Sequence, residues 1–183
     1  MVAFFHSVWV WGGRYLWGTL HLCWHSWNEV NERNCRLEIE KYHIRRAQPL
    51  DADALVACIE QAYAQYTDRI TDLPAVADGC EKDIKNNHVW VAVAGTNIIG
   101  CVVLIPKEGF LKLANIAVHP DHRGQGLGRK LMDFSERQAK NQGCAEMRLN
   151  THAAMPENIQ LYSHLGWRET GRDGSSVSMK KSL

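Results

Sequence analysis

A glycine-rich segment with flanking arginines is the part of the sequence best suited to bind a charged ligand. "HPDHRGQGLGRKLMDF", His119 to Phe134, places three glycines in five positions directly before a helical pattern. Glycine adopts positive φ and lets other atoms approach the backbone. The first amides of a helix lack intrahelical partners and carry the positive end of its dipole, so they can bind a phosphate, with Arg123 and Arg129 adding charge. An ordinary glycine-rich surface loop is the alternative.

Two nucleotide-binding motifs are excluded because the sequence does not contain their residue patterns. A P-loop needs G-x-x-x-x-G-K-[ST], and the sequence contains no such string. The Rossmann fingerprint G-x-G-x-x-G/A fails as well, because a match started at Gly124 ends on Arg129 and one started at Gly126 ends on Leu131.

The first elements that must position this turn are a strand and a helix. "YHIRRA" has strand composition, and "LDADALVACIEQAYAQY" reads as a helix with Asp51 near its N-cap. The apolar residues that recur at helical spacing and predict one buried face are Leu55, Val56, Ile59, Ala62, Tyr63 and Tyr66.

The middle of the chain reads as sheet and its end as alternating helices and strands. A short charged helix ending at Asn86-Asn87 precedes "HVWVAVA", "IIGCVVLI" and "FLKLANIAV", which predict three strands. The helix after the glycine turn has Leu127, Leu131, Phe134 and Ala139 on its inner face, and Gly143 stops it. Then come a strand "AEMRLN", a helix "PENIQLYSHLG" and a hairpin that turns at "DG".

Composition limits the partners and the compartment. The 183 residues suit one domain, and a net charge of +1 provides no bulk field for nucleic acid or an anionic membrane. Six cysteines without paired spacing argue against a disulfide framework and a zinc site, so we expect reduced thiols, no bound metal and a cytoplasmic protein.

The first 36 residues differ from the rest, since five of the seven tryptophans lie among the first 27 positions. Polar residues and Gly12-Gly13 interrupt the apolar run, so neither a signal peptide nor a transmembrane span is predicted. Three interpretations stay open: an interfacial or partner-binding segment, a helical addition, and an extension that is not part of the natural protein. We favour the last, because no helical or strand periodicity is sustained; translation could begin later, for example at Val30 or Leu37.

"NIAVHPDHRGQGLGRKLMDF" resembles the acetyl-CoA signature of the GNAT superfamily of N-acetyltransferases, whose pattern [Q/R]-x-x-G-x-[G/A] is met by Arg123, Gly126 and Gly128. The resemblance extends over residues 42–183 through "IRRAQPLDADAL" and "ENIQLYSHLGW". It implies an α/β (α+β) fold in which a mixed, mostly antiparallel sheet is flanked by helices in the order β-α-α-β-β-β-α-β-α-β-β.

The resemblance also implies where acetyl-CoA binds. The pyrophosphate lies on the turn and helix start, and the pantetheine arm lies along the strand before them. The residues implied to bind the cofactor are Ile116, Ala117, Val118, Arg123, Gly124, Gln125, Gly126, Leu127, Gly128, Arg129 and Asn158. Asn158 departs from the family pattern: many relatives carry this asparagine seven residues before the tyrosine, where this chain has Met155, and an N-terminal helix cap is the rival role.

Tyr162 matches the family's tyrosine that protonates the departing thiolate of coenzyme A, a role open to a phenol with a pKa of about 10. Packing or cofactor binding alone is the alternative. The strand glutamate that often accepts the amine's proton is missing, because "LANIAV" offers only Asn115. His152, His119 and Glu108 are equal candidates beside a chain of waters, and we assign no base.

The acceptor site in this family lies near the first two helices and the last hairpin, which makes Tyr63, Tyr66 and Arg69 candidates. Arg69 could bind a substrate carboxylate, with a structural ion pair as the alternative, and the tyrosines could simply pack in the core. The resemblance implies acetyl transfer to a primary amine of a small molecule in a ternary complex. The alternatives are acetylation of a protein N-terminus or lysine, and a non-catalytic acetyl-CoA-binding regulatory module. We expect no nucleic-acid or membrane partner and leave a homodimer open.

Overall fold

Strands and helices follow one another in the predicted order. The computed structural model describes residues 42–183, and the tryptophan-rich segment of residues 1–36 lies outside them. The strands are β1 (His43–Arg46), β2 (His88–Ala94), β3 (Asn97–Lys107), β4 (Phe110–Val118), β5 (Glu146–His152), β6 (Arg168–Asp173) and β7 (Ser176–Ser182). The helices are α1 (Ala52–Thr67), α2 (Cys80–Asn86), α3 (Leu127–Asn141) and α4 (Pro156–His164). The order β-α-α-β-β-β-α-β-α-β-β is therefore confirmed.

The strands form one seven-stranded sheet in the order β1-β2-β3-β4-β5-β7-β6. Neighbours are antiparallel except β4 and β5, which run parallel. The mixed, mostly antiparallel sheet expected from the sequence is thus observed. One detail differs: Asp173 still belongs to β6, so the last hairpin turns at Gly174 and Ser175.

The parallel pair β4 and β5 separates halfway along its length. Phe110–Leu113 pair with Glu146–Leu149, and the register of this pair ends there. At the same point β4 contains a bulge: Leu113 lies opposite Leu104 and Asn115 opposite Val103, so Ala114 has no partner on β3. The second half of β4 keeps its pairing with β3 and leaves its other edge open toward β5.

Helices cover both faces of the sheet. On one face α1 and α2 pack their apolar sides on β2, β3 and β4; on the other α3 and α4 pack on a cluster that includes the fully buried Trp167. The predicted inner positions Leu55, Ile59, Leu127 and Leu131 are all buried. No helix among residues 42–183 is both long and apolar enough to cross a membrane.

Asp51 does lie at the start of α1, but its carboxylate does not cap the helix. It accepts two hydrogen bonds from Arg45 of β1, at 2.7 and 2.8 Å, and one from the Gln48 amide. The hydrogen bond from Arg45 is the main reason that the pKa of Asp51 is lowered. The buried Asp51 therefore fixes the beginning of α1 to β1.

The cysteines of the described part of the chain are free thiols. Cys58, Cys80 and Cys101 are buried, and Cys144 is half-buried. Burial is the main cause of the raised pKa of each of the three buried thiols. They act as small core residues; Cys23 and Cys35 lie outside the described residues.

Candidate active site

Two glycines of the turn adopt a backbone conformation that other residues rarely take. Gly124 has φ of 70° and Gly126 has φ of 78°. Gly128 does not have positive φ, and a Cβ added there would lie 3.7 Å from Val118 Cγ2, an ordinary contact. The three glycines therefore have two different roles. The path of the chain requires glycine at 124 and 126, where φ is positive, whereas Gly128 has no side chain to cover the surface next to Val118.

The N-terminus of α3 is open to a ligand. Gly126 is its N-cap, no side chain caps the helix, and its first turn contains no acidic residue. The Lys130 amide makes the bond to Gly126 O at 3.1 Å. The amides of Leu127, Gly128 and Arg129 precede that bond, and the helix dipole makes this end positive. The arrangement fits a pyrophosphate, as the sequence predicts.

The two arginines of the turn differ in their contacts. Arg123 donates a hydrogen bond to Ala62 O of α1 at 2.6 Å, which holds the turn against that helix. Arg129 has a side chain that is 74% exposed, and its nearest acidic partner is Asp133, with Nε 4.0 Å from Oδ2. Arg123 therefore positions the turn, and Arg129 presents its charge to solvent beside it.

A cavity of about 650 Å³ runs from this turn along β4 to α4. It is lined by every residue that the sequence assigns to the cofactor except Gln125, whose amide donates to Asp121 O at 3.2 Å. The open edge of β4 supplies Ile116, Ala117 and Val118. Its lining along β4 and its cationic end fit the pantetheine arm and pyrophosphate of coenzyme A.

A second cavity, of about 360 Å³, lies where β4 and β5 separate. The loop between α1 and α2 contributes Leu73, Pro74 and Val76, and the turn before β7 contributes Ser175. The residues that line both cavities are Tyr63, Ile116, Asn158 and Tyr162. A group bound in one cavity can therefore meet a group bound in the other at these four side chains.

Tyr162 lies at this junction. It is half-buried, with its ring centroid 6.1 Å from that of Trp167. Burial, followed by the neighbouring Tyr63 and Tyr66, raises the pKa of Tyr162 well above the usual range of a phenol. Its hydroxyl therefore keeps its proton at neutral pH and can donate a hydrogen bond to an anion at the junction.

Tyr63 and Asn115 connect the junction to the elements around it. Tyr63 Oη donates to Asn115 Oδ1 at 3.2 Å, and Asn115 Nδ2 donates to Val76 O at 3.2 Å. Burial is the main cause that raises the pKa of Tyr63 to about 12. Asn115 thus joins β4, α1 and the loop after α1. The sequence shows that a carboxylate is missing here but does not reveal this structural role.

The other two predicted acceptor-site residues lie elsewhere. Tyr66 lines the larger cavity only, and Arg69 lines neither of the two. The Arg69 guanidinium forms an ion pair with Glu157 and lies 5.2 Å from the Tyr66 ring centroid. The structure therefore favours the structural ion pair: Arg69 neutralises Glu157, which lines the larger cavity, and does not face the acceptor site.

Asn158 faces both cavities despite the shifted spacing. Its Nδ2 lies 3.3 Å from the sulfur of Met155, which is buried below it. Met155, not Asn158, is the N-cap of α4, so the capping role considered for Asn158 is wrong. Its side chain also hydrogen-bonds Tyr66, so a ligand in either cavity would meet an amide that is already held in place.

The three candidate bases are far from equivalent. Glu108 is exposed in the turn between β3 and β4, and His119 accepts a hydrogen bond from the Asp121 amide at 3.3 Å. Only His152 lines the acceptor-side cavity. Its Nδ1 accepts from the Ala154 amide at 3.1 Å, and its Nε2 lies 3.2 Å from Asp72 Oδ1, an ion-pair distance without full hydrogen-bond geometry. Both ring nitrogens thus face protein partners, which leaves no lone pair for a substrate proton.

Comparisons with known proteins agree with this geometry. Residues 85–169 match the acetyltransferase (GNAT) domain family. The chain is 32% identical over 89 residues to N-acetyltransferase 8B of Homo sapiens, a match that covers 45% of this chain and 39% of that protein. N-acetyltransferase 8 of Homo sapiens is 29% identical over 127 residues, or 65% of this chain and 56% of that protein. The chain thus aligns with about half the length of these curated relatives.

A similar solved structure is that of PaiA N-acetyltransferase from Thermoplasma acidophilum in complex with coenzyme A. It has a TM-score of 0.70 at 18% identity, covering 78% of this chain and 99% of that one. At this identity the likeness concerns the fold. The sequence comparisons confirm the family resemblance, and the structural comparison confirms the fold that it implies.

Proposed function

We propose that this chain, whose residues 85–169 match the acetyltransferase (GNAT) domain family, uses acetyl-CoA to acetylate the primary amine of a small molecule by direct attack in a ternary complex. The observation that supports this most is the meeting of the two cavities at Tyr63, Ile116, Asn158 and Tyr162. An amine in the smaller cavity and a thioester in the larger one would meet there without a covalent enzyme intermediate.

The open edge of β4, the α3 amides and the Asn158 side chain would hold acetyl-CoA. When bound, acetyl-CoA supplies an activated acetyl group on a thiol that departs as a thiolate. The Tyr162 hydroxyl is the protonated group placed at the junction, and it would donate a hydrogen bond to the sulfur as negative charge develops. Because the pKa of Tyr162 is raised, the phenol acts first as a hydrogen-bond donor and gives up its proton only late.

The acceptor amine must lose a proton, since an alkylammonium has a pKa of about 10 and no free electron pair. None of the four residues at the junction is a carboxylate or a histidine, and both nitrogens of His152 face protein partners. We therefore assign this proton to water in the acceptor-side cavity.

The small volume of the acceptor-side cavity, about 360 Å³, supports a small acceptor over a protein. Asp72, in the loop after α1, lies 3.2 Å from His152 Nε2 of β5 and also accepts a hydrogen bond from the Ser175 side chain. These contacts join the loop to β5 and to the last hairpin through His152 and Ser175, which both line the cavity. A bound peptide would need an open groove there.

Thiol release from acetyl-CoA, measured over a panel of small amines and of peptides with free N-termini or lysines, tests the proposal. We expect release with one or more small amines and none with peptides. Release with peptides alone would identify a protein acetyltransferase. Tight acetyl-CoA binding without release would identify a non-catalytic module.

A further inference from the structure

The charges around the acceptor-side cavity restrict the acceptor itself, an inference that rests on the proposed function. Among residues 42–183, the cavity is lined by one carboxylate, Asp83, one histidine, His152, and no lysine or arginine. The other polar lining side chains are neutral amides and hydroxyls. Among the described residues, the lining therefore offers a carboxylate to a cation and neither a lysine nor an arginine to an anion.

Asp83 is in a position to act on a bound cation. It belongs to the first turn of α2 and is half-buried, and its Oδ1 accepts one hydrogen bond from Asn87 Nδ2 at 2.7 Å. A carboxylate has four lone-pair directions, so this bond leaves capacity for an ammonium donor. A charge-assisted hydrogen bond of this kind is stronger than one between neutral groups.

A carboxylate on the acceptor would find no cationic partner in the same cavity. His152 accepts a hydrogen bond from the Ala154 amide at Nδ1, and its Nε2 lies 3.2 Å from Asp72 Oδ1 without full hydrogen-bond geometry, so the nearest group to its second nitrogen is already a carboxylate. Arg69 is paired with Glu157 and lies outside the cavity. An unpaired carboxylate buried beside Asp83 would be desolvated without compensation and repelled by like charge.

We propose that the acceptor is a cationic amine without a carboxylate group, and that Asp83 attracts its ammonium charge into the cavity. Free amino acids and amino-acid conjugates that keep the carboxylate would be rejected on charge alone. The amine that enters is positively charged, and it reaches the junction only after losing its proton to water.

Matched acceptors that differ only in the carboxylate test this proposal. Tyrosine, tyrosinamide and tyramine share a side chain, as do lysine and cadaverine, and kcat/KM for thiol release is measured for each. We expect each carboxylate-free amine to exceed its free acid by about tenfold or more, the effect of one hydrogen bond to a charged group. Equal values, or a preference for the acids, would overturn the proposal.

Asp83→Asn tests the residue, and Glu81→Gln is its matched control. Both positions are acidic and lie in the first turn of α2, but Glu81 is exposed and does not line this cavity. Asparagine keeps an oxygen for Asn87. We expect Asp83→Asn to raise KM for carboxylate-free amines about tenfold with little change in kcat, and Glu81→Gln to change neither. An equal loss for acids and amines after Asp83→Asn would contradict the proposal.

A calorimetric binding experiment shows whether the inferred acceptor class holds even if the proposed catalysis fails. Tyramine and tyrosine are titrated into the full chain loaded with coenzyme A. Tighter binding of tyramine that depends on Asp83, without thiol release from acetyl-CoA, would support the acceptor class while the proposed catalysis fails. Equal binding of both, or binding of neither together with no turnover in any matched pair, would overturn the acceptor class.

Discussion

At the scale of single residues, the site depends on two tyrosines that keep their protons and therefore stay uncharged. Tyr162 and Tyr63 both have a raised pKa because they are buried, and both remain neutral donors at the junction. An uncharged hydroxyl can donate a hydrogen bond to the neutral thioester and to the thiolate that replaces it, and it repels neither of them. The motif that suggests the role of Tyr162 also contains its neighbour Trp167, whereas the approach of Tyr63 and Tyr66 of α1, which raises the pKa of Tyr162 further, cannot be read from the motif.

Removal of the Tyr162 hydroxyl should reduce turnover more than coenzyme A affinity. We expect Tyr162→Phe to lower kcat by about 100-fold, within the range of acid catalysis, and to change Kd for coenzyme A by less than about threefold. Steady-state thiol release and calorimetry measure the two. Tyr42→Phe, which removes a buried hydroxyl that lines neither of the two cavities, is the control. Unchanged kcat in Tyr162→Phe would exclude the residue from catalysis.

The raised pKa of Tyr162 predicts the alkaline side of the pH profile. The protonated phenol is the active form, and raising its pKa extends that form to higher pH. We expect kcat to show no decline up to about pH 10, where an ordinary phenol is half ionised. Its rise at lower pH should shift with the pKa of the chosen amine, because water accepts that proton. A decline below about pH 9, or a rise fixed for all amines, would contradict these assignments.

At the scale of elements, the glycine turn meets two requirements, positive φ and a backbone surface without side chains. The sequence does not show which glycine meets which requirement. The motif specifies Gly126 and Gly128 and leaves the position of Gly124 open, yet the positive φ values fall on Gly124 and Gly126. Sequence patterns place strands and helices well here, because apolar spacing and turn residues agree. They do not show the bulge at Ala114, since an alanine within an apolar strand carries no signal for it.

Alanine substitutions separate the two requirements. Gly126→Ala places a side chain at φ of 78° and should reduce the free energy of unfolding by about 1 to 2 kcal/mol. Gly128→Ala should leave stability nearly unchanged, because its Cβ would meet only Val118 at 3.7 Å. If pyrophosphate approaches this backbone, Gly128→Ala should still weaken coenzyme A binding. Denaturant titration and calorimetry provide the two readouts, and full affinity in Gly128→Ala would place the pyrophosphate elsewhere.

At the scale of the whole molecule, residues far apart in sequence build the junction. Tyr63, Ile116 and Tyr162 come from α1, β4 and α4. The family pattern predicts that these elements converge, but it gives neither the lining of the acceptor-side cavity nor the pairing of Arg69 with Glu157. Those depend on the path of the loop after α1, which has no periodic pattern. The sequence therefore predicts the donor half of the site better than the acceptor half.

Coenzyme A should stabilise the whole domain as well as fill its cavity. A ligand that binds only the folded state at 100 times its Kd adds about 2.7 kcal/mol to the free energy of unfolding. We expect a rise in Tm that follows this concentration dependence, with slower amide exchange at Leu127, Gly128 and Arg129. Differential scanning calorimetry and exchange mass spectrometry measure both. Stabilisation without protection of these amides would contradict the proposed phosphate position.

The bulge at Ala114 makes chain length, as well as residue type, a determinant of this site. Deleting Ala114 would bring Leu113 and Asn115 next to each other opposite Leu104 and Val103, so the bulge would be lost while the following side chains kept their faces of the sheet. The local bend that the bulge gives β4 would be lost at the point where β4 and β5 separate, even though every other named site residue would still be present. Ala114 itself can be exchanged for other small residues, but it cannot be omitted. A one-residue deletion here would leave every sequence motif intact and would still change the shape of the acceptor-side cavity.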